Sequence, residues 1–304
     1  MNDTERLQAR QGVVYGVLSY GLWGLIPLYF KLVAAVSPEE VLAQRVVWSF
    51  ALLALLITLV GRWRDLRATL ASRQTLIMLA ASTLLLGFNW FVYIYAVSTN
   101  QVVEASLGYF LNPLVNVVIG VTILKEHLRG WQLVSIVLAG AGVAIMGVPL
   151  IAVSLALSFA FYGLLRKKVP VDGLLGLFIE TMLLVPIALM YIAYLEGAGT
   201  SAFRLDDPAT CVKLAASGVV TAVPLLLFAA AARRLRFSTL GFLQYLAPSV
   251  QFLLAVFLFQ EPLTTTKLAA VGCIWTAVGI YTFDTLRAYQ LERVRMPIPA
   301  PADV

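Results

Sequence analysis

Charged side chains are scarce in this chain of 304 residues. Only 12% of the residues are Asp, Glu, Lys or Arg, whereas 61% are hydrophobic. Soluble domains carry about 25% charged residues, so this chain has too few to cover a water-facing surface. The composition excludes an ordinary soluble protein. Its long apolar runs predict an all-α integral membrane protein embedded in the lipid bilayer.

Cysteine and histidine are also rare, and their scarcity excludes several kinds of site. The two cysteines, Cys211 and Cys273, lie far apart in sequence, which argues against a disulfide framework. The single histidine, His127, belongs to no Cys or His cluster, so no metal site is expected. The sequence contains neither a G-x-x-x-x-G-K-[ST] nucleotide loop nor an H-E-x-x-H motif. We therefore expect no cofactor and no enzymatic activity.

The second half of the chain resembles the first at one constant offset, which we call the repeat offset and which carries Ala80 onto Ala215. The matching segments are Ala80-Ala81-Ser82 with Ala215-Ala216-Ser217, Phe110-Leu111-Asn112-Pro113 with Tyr245-Leu246-Ala247-Pro248, Asn116 with Gln251, and Glu126 with Glu261. One register across so much of each half indicates two similar units in tandem. In membranes a doubled apolar unit is typical of secondary transporters, whose binding site lies between the halves.

Apolar runs between charged residues or Pro/Gly breaks predict ten transmembrane helices, since about 20 residues are needed to cross the hydrocarbon core. The predicted spans are 12–33, 41–61, 75–97, 102–124, 131–148, 150–166, 173–195, 210–232, 238–260 and 267–287. Spans five and six are the shortest, with about 17 residues each. They are joined by little more than Gly147-Val148-Pro149.

Basic residues alternate between the two sides of these spans. One side holds most of the 22 Lys and Arg residues, and the other holds only Lys31, Arg45, Arg204, Lys213 and Lys267. The positive-inside rule then places both termini in the cytoplasm and the protein in the plasma (inner) membrane. Because the net charge of +6 is explained by topology, we do not expect nucleic-acid binding. The oligomeric state is not predicted.

Each predicted half has five spans, so the second half must enter the membrane upside down relative to the first. The predicted domains are a first five-helix repeat over 1–148, a second inverted five-helix repeat over 149–287, and a disordered cytoplasmic tail over 288–304.

Arg45 opens span two and Glu180 lies well inside span seven. Polar groups in apolar spans are costly and tend to be functional. Arg45 and Glu180 are related by the repeat offset. They either pair with each other or line a cavity from opposite sides. Glu180 is the best candidate for a proton- or cation-responsive group, and the alternative is a static ion pair that fixes helix packing.

The fourth span contains proline and amide side chains, and its repeat counterpart is similar. Tyr109, Asn112 and Asn116 flank Pro113, and Gln244, Tyr245 and Gln251 flank Pro248. Because proline frees a backbone carbonyl, both kinked helices are candidates for the binding site. The alternative is hydrogen bonding between helices that holds each kink.

Further candidates to line a cavity are Asn89 in span three and the aromatic residues Tyr20, Trp23 and Tyr162 beside small residues in spans one and six. Helix packing is the alternative explanation for these small and aromatic residues. Glu126 and Glu261 each close an apolar span, and we expect them to anchor helix ends rather than to form a site.

The chain resembles the EamA-type drug/metabolite transporter superfamily and, within it, the RarD subfamily. The resemblance covers about residues 11–287. It is carried by Gln11-Gly12-Val13, Trp23-Gly24, Tyr29-Phe30-Lys31, Arg45-Val-Val-Trp48-Ser49-Phe50, Asn89-Trp90, Glu104 to Asn116, Ser158 to Gly163, Arg166-Lys-Lys168, Ile179-Glu-Thr-Met182, and Ser238 to Phe242 with Gln244-Tyr245. It implies a ten-helix basket with a central cavity and the export of small organic solutes. The short link between spans five and six departs from the family pattern.

These observations predict a secondary active transporter that moves metabolites, amino acids or drugs by alternating access. Coupling to protons through Glu180 or to a counter-substrate is one prediction, and a passive facilitator is the alternative. A non-transporting sensor or accessory module is a rival class, although no sizeable soluble domain is predicted for it. A channel would require a ring of like charges or a filter loop, and neither is visible.

Overall fold

A computed structural model describes residues 3–122, 125, 130–147, 149–232, 234–235 and 243–295, and within these ranges every regular element is a helix. The helices are α1 (Asp3–Leu32), α2 (Pro38–Val60), α3 (Trp63–Ala71), α4 (Arg73–Ser98), α5 (Val102–Thr122), α6 (Gly130–Ile145), α7 (Leu150–Lys168), α8 (Gly173–Gly197), α9 (Pro208–Ala232), α10 (Leu246–Leu253), and α11 (Thr265–Arg295). A π-helical segment, Leu254–Leu258, follows α10. The prediction of an all-helical protein is confirmed for the described residues.

Capping residues set several of the helix boundaries. Ser37 precedes α2, and its hydroxyl accepts a hydrogen bond from the Glu40 amide. Asp172 does the same for α8 through the amides of Leu174 and Leu175. Gly61 ends α2 in the left-handed conformation, with φ of 70°. These caps satisfy amide and carbonyl groups that helix ends leave without partners.

Seven helices in the described part of the chain are long and apolar enough to span a membrane. Three predicted spans correspond to shorter apolar helices, Gly130–Ile145, Leu150–Arg166 and Leu246–Leu258. At about 1.5 Å per residue, the 16 residues of α6 fall short of a hydrocarbon core of about 30 Å. The shortness predicted for spans five and six is therefore present in the structure. For the ninth span, residues 238–242 lie outside the described residues.

The repeat offset recurs in the helix boundaries. Helices α2 and α8 begin at residues 38 and 173, α4 and α9 at 73 and 208, and α6 and α11 at 130 and 265. The separation is the same in all three pairs, and it is the one that the sequence shows between Ala80 and Ala215. Both halves place their helices at equivalent positions along the chain.

The chain divides into two compact units, and neither coincides with a sequence half. The first unit comprises residues 1–109 and 150–262, and the second comprises residues 110–149 and 263–304. In the first unit α2 packs on α8, α1 on α9, and α4 on α7. At the repeat offset, α1 and α9 correspond to α7 and α4, so the α1–α9 pair is equivalent to the α4–α7 pair. Helices α2 and α8 correspond to each other, so their pair is equivalent to itself. In the second unit α6 packs on α11.

The predicted tail begins later than expected. Helix α11 continues to Arg295, so residues 288–295 are helical rather than part of a disordered tail starting at 288. The physical reason is that 288–295 contains good helix formers and no proline before Pro297. Residues 296–304 lie outside the described residues, as do Glu126 and His127.

Large apolar side chains remain exposed on the first unit. Leu59 is 72% exposed, Leu84 is 70% exposed and Phe257 is 75% exposed. Such side chains on apolar helices face lipid in a membrane protein, where the hydrocarbon is as apolar as they are.

Candidate functional site

Glu180 lies in the interior of the first unit, and three side chains surround its carboxylate. It is fully buried on α8. Ser82 of α4 donates to Oε1 at 2.6 Å, and the Tyr162 hydroxyl of α7 donates to Oε2 at 3.3 Å. Arg166 Nε lies 3.8 Å from Oε1. The carboxylate therefore has both hydrogen-bond donors and a counter-charge, as a buried charge requires.

A glycine on α8 makes room for Arg166. A Cβ at Gly176 would overlap the Arg166 guanidinium, so the guanidinium occupies the space that a larger residue would fill. Arg166 Nη2 also donates to the carbonyl of Asp172 at 3.1 Å. The sequence analysis did not predict the contact between Arg166 and Glu180.

The start of α8 carries a second ion pair. Arg62, after α2, lies 2.6 Å from the carboxylate of Asp172. Burial would raise the pKa of Asp172, but hydrogen bonds from Arg62 and from the amides of Leu175 and Leu174 lower it, and the net shift is downward. Asp172 thus caps α8 and links it to the end of α2.

Arg45 lies on α2, at the position that matches Glu180 in the repeat, and it is only 6% exposed. Its Nε donates to the Thr221 hydroxyl of α9 at 2.9 Å. Its guanidinium lies 4.1 Å from the centroid of the Trp90 ring and 5.5 Å from that of Phe30. Aromatic faces stabilise a cation at these distances.

Close packing of α2 on α9 positions the Arg45–Thr221 hydrogen bond. A Cβ at Gly218 would lie 2.5 Å from the carbonyl oxygen of Trp48, so only glycine allows this approach. Gly218 lies three residues before Thr221 on α9, and Trp48 lies three residues after Arg45 on α2. Each separation is about one helical turn.

The two predicted alternatives for Arg45 and Glu180 are that they pair with each other or that they line a cavity from opposite sides. No ion pair joins the two residues in the described part of the chain, and each has its own set of partners. The geometry is that of two separate buried charges.

A row of aromatic rings connects the surroundings of Arg45 to those of Glu180. We define the aromatic row as Phe30, Tyr93, Tyr109, Phe159 and Tyr162, whose successive ring centroids are 6.0, 5.7, 6.0 and 6.0 Å apart. It begins at a ring that contacts Arg45 and ends at a hydroxyl that contacts Glu180. Four of the predicted site residues, Arg45, Tyr109, Tyr162 and Glu180, are thereby brought together along one path.

Asn89 also joins this path. The Tyr109 hydroxyl donates to Asn89 Oδ1 at 3.3 Å. Asn89 Nδ2 donates to the Ser158 hydroxyl at 2.9 Å and to the Leu155 carbonyl at 3.2 Å. These bonds tie α4, α5 and α7 together, so the hydrogen bonds that we considered as an alternative to substrate binding are present here.

Tyr20 and Trp23 form a separate aromatic cluster with Phe228. The Tyr20 and Trp23 centroids are 5.3 Å apart, and the Tyr20 and Phe228 centroids are 6.0 Å apart. Gln251 Nε2 donates to the Trp23 carbonyl at 3.1 Å, while Gln251 Oε1 is buried without a partner among the described residues. Gln244 and Tyr245 are half-buried just before α10.

Asn112 and Asn116 differ in burial although they lie one turn apart. Asn112 is 1% exposed, and its amide has no hydrogen-bond partner within the described ranges. Asn116 is exposed. Both lie in the second unit, whereas the aromatic row lies in the first.

Two further carboxylates anchor chain segments. Glu261 accepts hydrogen bonds from the amides of Val102 and Val103 at 2.7 and 2.9 Å, which confirms the prediction that it anchors a helix end. Glu40 accepts from the amides of Ala202 and Phe203 at 2.8 and 3.3 Å. The sequence analysis missed Glu40, although a glutamate immediately before a predicted span is the signal that could have found it.

The α8–α9 connection contains a surface cleft of about 490 Å³. It is lined by Glu196, Gly199, Ser201, Phe203, Arg204, Leu205 and Asp206. None of the predicted site residues lines it. No cluster of three metal-ligating side chains occurs among the residues that the structure describes.

Comparisons with known proteins agree with the resemblance noted in the sequence. Residues 10–148 match the model of the EamA-like transporter family. An uncharacterized transporter of Vibrio cholerae is 43% identical, over 95% of this chain and 97% of its own length. The protein RarD of Escherichia coli is 43% identical, over 92% of this chain and 96% of its own. A chloramphenicol-sensitive protein RarD of Pseudomonas aeruginosa is 30% identical, over 94% and 98%.

One crystal structure supports the fold. It superposes with a TM-score of 0.58 at 18% sequence identity, over 90% of this chain and 97% of the other. At this identity the likeness concerns the fold alone.

Proposed function

Because the chain belongs to the EamA-like transporter family and, within it, to the RarD subfamily, we propose that it is a secondary transporter of small organic solutes. It is a multi-pass membrane protein, and its relatives are named as transporters. We place it in the plasma (inner) membrane, with ten spans in two inverted repeats and both termini in the cytoplasm. Transport then proceeds by alternating access between the repeats.

The observation that carries this proposal is the aromatic row with a buried charge at each end. Arg45 and Glu180 are 6% and 0% exposed within a bundle of apolar helices. Charges at such depth are costly and mark solute or ion pathways in membrane proteins. A row of aromatic rings with polar groups at its ends suits small organic solutes that combine apolar and polar parts.

Coupling is the finer part of the proposal. Glu180 is the acidic residue at the end of the aromatic row, where Ser82 and Tyr162 donate to it. A carboxylate in this position can bind a proton on one side of the membrane and release it on the other. The second candidate is an uncoupled facilitator, because Arg166 balances the Glu180 charge and an ion pair resists protonation.

The test is solute flux in proteoliposomes that contain the purified protein. A panel of amino acids, small metabolites and chloramphenicol is tested for uptake and efflux, with and without an imposed pH gradient. Saturable flux of one solute class is expected, and the absence of flux for every solute would favour the sensor or accessory module.

Glu180→Gln tests the coupling, with the exposed loop variant Asp206→Asn as its control. We expect Glu180→Gln to remove acceleration by the pH gradient while exchange of solute across the membrane persists. Acceleration that survives in Glu180→Gln would overturn proton coupling and leave the uncoupled facilitator.

A further inference from the structure

Arg45 has more hydrogen-bonding capacity than the protein uses. A guanidinium has five N–H donors, and within the described ranges only Nε of Arg45 has an acceptor, the Thr221 hydroxyl. Among the described residues, the two terminal nitrogens donate to no side chain or backbone oxygen. A ligand that supplies acceptor oxygens would therefore form hydrogen bonds that the described residues do not provide.

Arg45 also has no counter-charge in the described part of the chain, because the ion pairs there involve other residues. Its counterpart in the repeat, Glu180, lies beside Arg166. At the Glu180 end of the aromatic row, Arg166 balances the negative charge. At the Arg45 end, the positive charge has no counter-charge among the described residues. This asymmetry selects a negatively charged group at the Arg45 end.

Tyr93 carries a second donor that the described residues leave without a partner. The Tyr93 hydroxyl is buried and forms no hydrogen bond within the described ranges. The Tyr93 ring centroid lies 6.0 Å from that of Phe30, the ring whose centroid is 5.5 Å from the Arg45 guanidinium. Tyr93 and Arg45 therefore both border Phe30, and each offers a donor to a ligand bound there.

The surrounding rings define the rest of the ligand. Trp90 contacts the guanidinium at 4.1 Å, and Tyr109 continues the row at 5.7 Å from Tyr93. Planar, bidentate donors match a carboxylate, while ring faces favour an apolar or aromatic body.

We propose that Arg45 and Tyr93 bind the carboxylate of a transported organic acid whose apolar body packs along the aromatic row. This inference rests on the proposed function, since it names the substrate class of the same site. It concerns binding, however, and can be tested without transport.

The experiment measures binding of phenylacetate and its neutral amide, phenylacetamide, to the detergent-solubilised full chain by calorimetry and by Trp fluorescence. The two probes differ in the carboxylate alone. We expect saturable binding of phenylacetate and at least about tenfold weaker binding of phenylacetamide, because charge-assisted bidentate contacts are lost.

Three variants assign the effect to this site. Arg45→Lys keeps the positive charge but loses the bidentate geometry, and Tyr93→Phe removes only a hydroxyl that has no partner in the described protein. Each should weaken phenylacetate binding several-fold while thermal unfolding stays close to that of the parent. Arg204→Gln, in an exposed loop, should leave binding unchanged.

Equal affinity for the two probes, no saturable binding of phenylacetate, or unchanged affinity in folded Arg45→Lys and Tyr93→Phe would each overturn the proposal. These outcomes are distinct from failure of the proposed function. Flux of neutral solutes in proteoliposomes would still establish a transporter that lacks a carboxylate site, whereas binding of phenylacetate without any flux would retain the site and contradict transport.

Discussion

The two buried charges of the first unit are stabilised in different ways. Glu180 has a counter-charge and two hydroxyl donors, whereas Arg45 has aromatic faces and one hydroxyl acceptor. The sequence identified both residues, because charges inside apolar runs are rare and conspicuous. It did not identify Arg166, since a long side chain reaches beyond its own turn and its contact depends on the space that Gly176 leaves.

At the residue scale, Gly176→Ala is predicted to destabilise the protein through Glu180. The added methyl group would displace the end of the flexible Arg166 side chain and leave a buried carboxylate without its counter-charge. A loss of about 1–3 kcal/mol in the free energy of unfolding is expected for an uncompensated buried polar group. Unfolding in detergent measures it, and Gly163→Ala, which has open space around its Cβ, is the control.

A double-mutant cycle separates this effect from simple overpacking. In a Glu180→Gln background no carboxylate needs the counter-charge of Arg166. Gly176→Ala should therefore lower the free energy of unfolding by much less in that background. The same cost in both backgrounds would contradict the electrostatic explanation.

Adjacent glutamates at the start of α2 provide a second prediction. Glu40 is 3% exposed and accepts from the amides of Ala202 and Phe203, while Glu39 is exposed. Glu40→Ala should cost about 1–3 kcal/mol because the partly buried amides of Ala202 and Phe203 lose their carboxylate acceptor. Glu39→Ala removes only a charge near the helix start, worth about 0.3–1 kcal/mol. Faster hydrogen exchange at 202 and 203 in Glu40→Ala alone would confirm the anchor, and equal exchange in both variants would refute it.

At the element scale, sequence patterns located helices well because apolar runs and capping residues act locally. The predicted spans each correspond to a helix in the described residues, and the shortness of spans five and six is reproduced by α6 and the apolar part of α7. The sequence did not predict the extension of α11 to Arg295. Hydropathy detects where a helix leaves the membrane, whereas helix formation continues until the backbone is interrupted.

Asp172 at the start of α8 allows capping and ion pairing to be tested separately. Asp172→Asn keeps a capping oxygen but loses the charge that pairs with Arg62. Asp172→Ala loses both, and loss of the cap alone should cost about 1 kcal/mol. At pH 7 we expect the free energy of unfolding to be highest for the parent, lower for Asp172→Asn and lowest for Asp172→Ala. Equal stability of the two variants would show that the cap contributes nothing.

The pH dependence of Asp172 follows from the direction of its shift. Its pKa is lowered below the ordinary value of 3.8, despite burial, by Arg62 and the amides of Leu175 and Leu174. The pairing therefore stabilises the folded protein fully above the unfolded pKa and is lost as the pH falls through the lowered, folded pKa. The stability difference between the parent and Asp172→Asn should accordingly persist from pH 7 to pH 5 and shrink below 3.8. A difference that did not change with pH would contradict a charge effect.

At the scale of the whole molecule, the internal repeat was the most productive signal in the sequence. Three helix pairs begin at positions related by the repeat offset, and helix packing within the first unit follows the same equivalence. The compact units could not be predicted, because each takes segments from both halves and such grouping depends on tertiary contacts. Self-similarity along a chain reveals equivalent helices without showing which of them pack together.

Inverted repeats make a prediction that parallel repeats do not. Positions related by the repeat offset must lie on opposite sides of the membrane when each half crosses an odd number of times. Gln74 and Ala209 are such a pair, exposed near the starts of α4 and α9. In a Cys211→Ser, Cys273→Ser background, Ala209→Cys should react with a membrane-impermeant maleimide in intact cells, and Gln74→Cys only after permeabilisation. Labelling of both in intact cells would mean that the halves are parallel, and the pseudo-two-fold relation between Arg45 and Glu180 would then be lost.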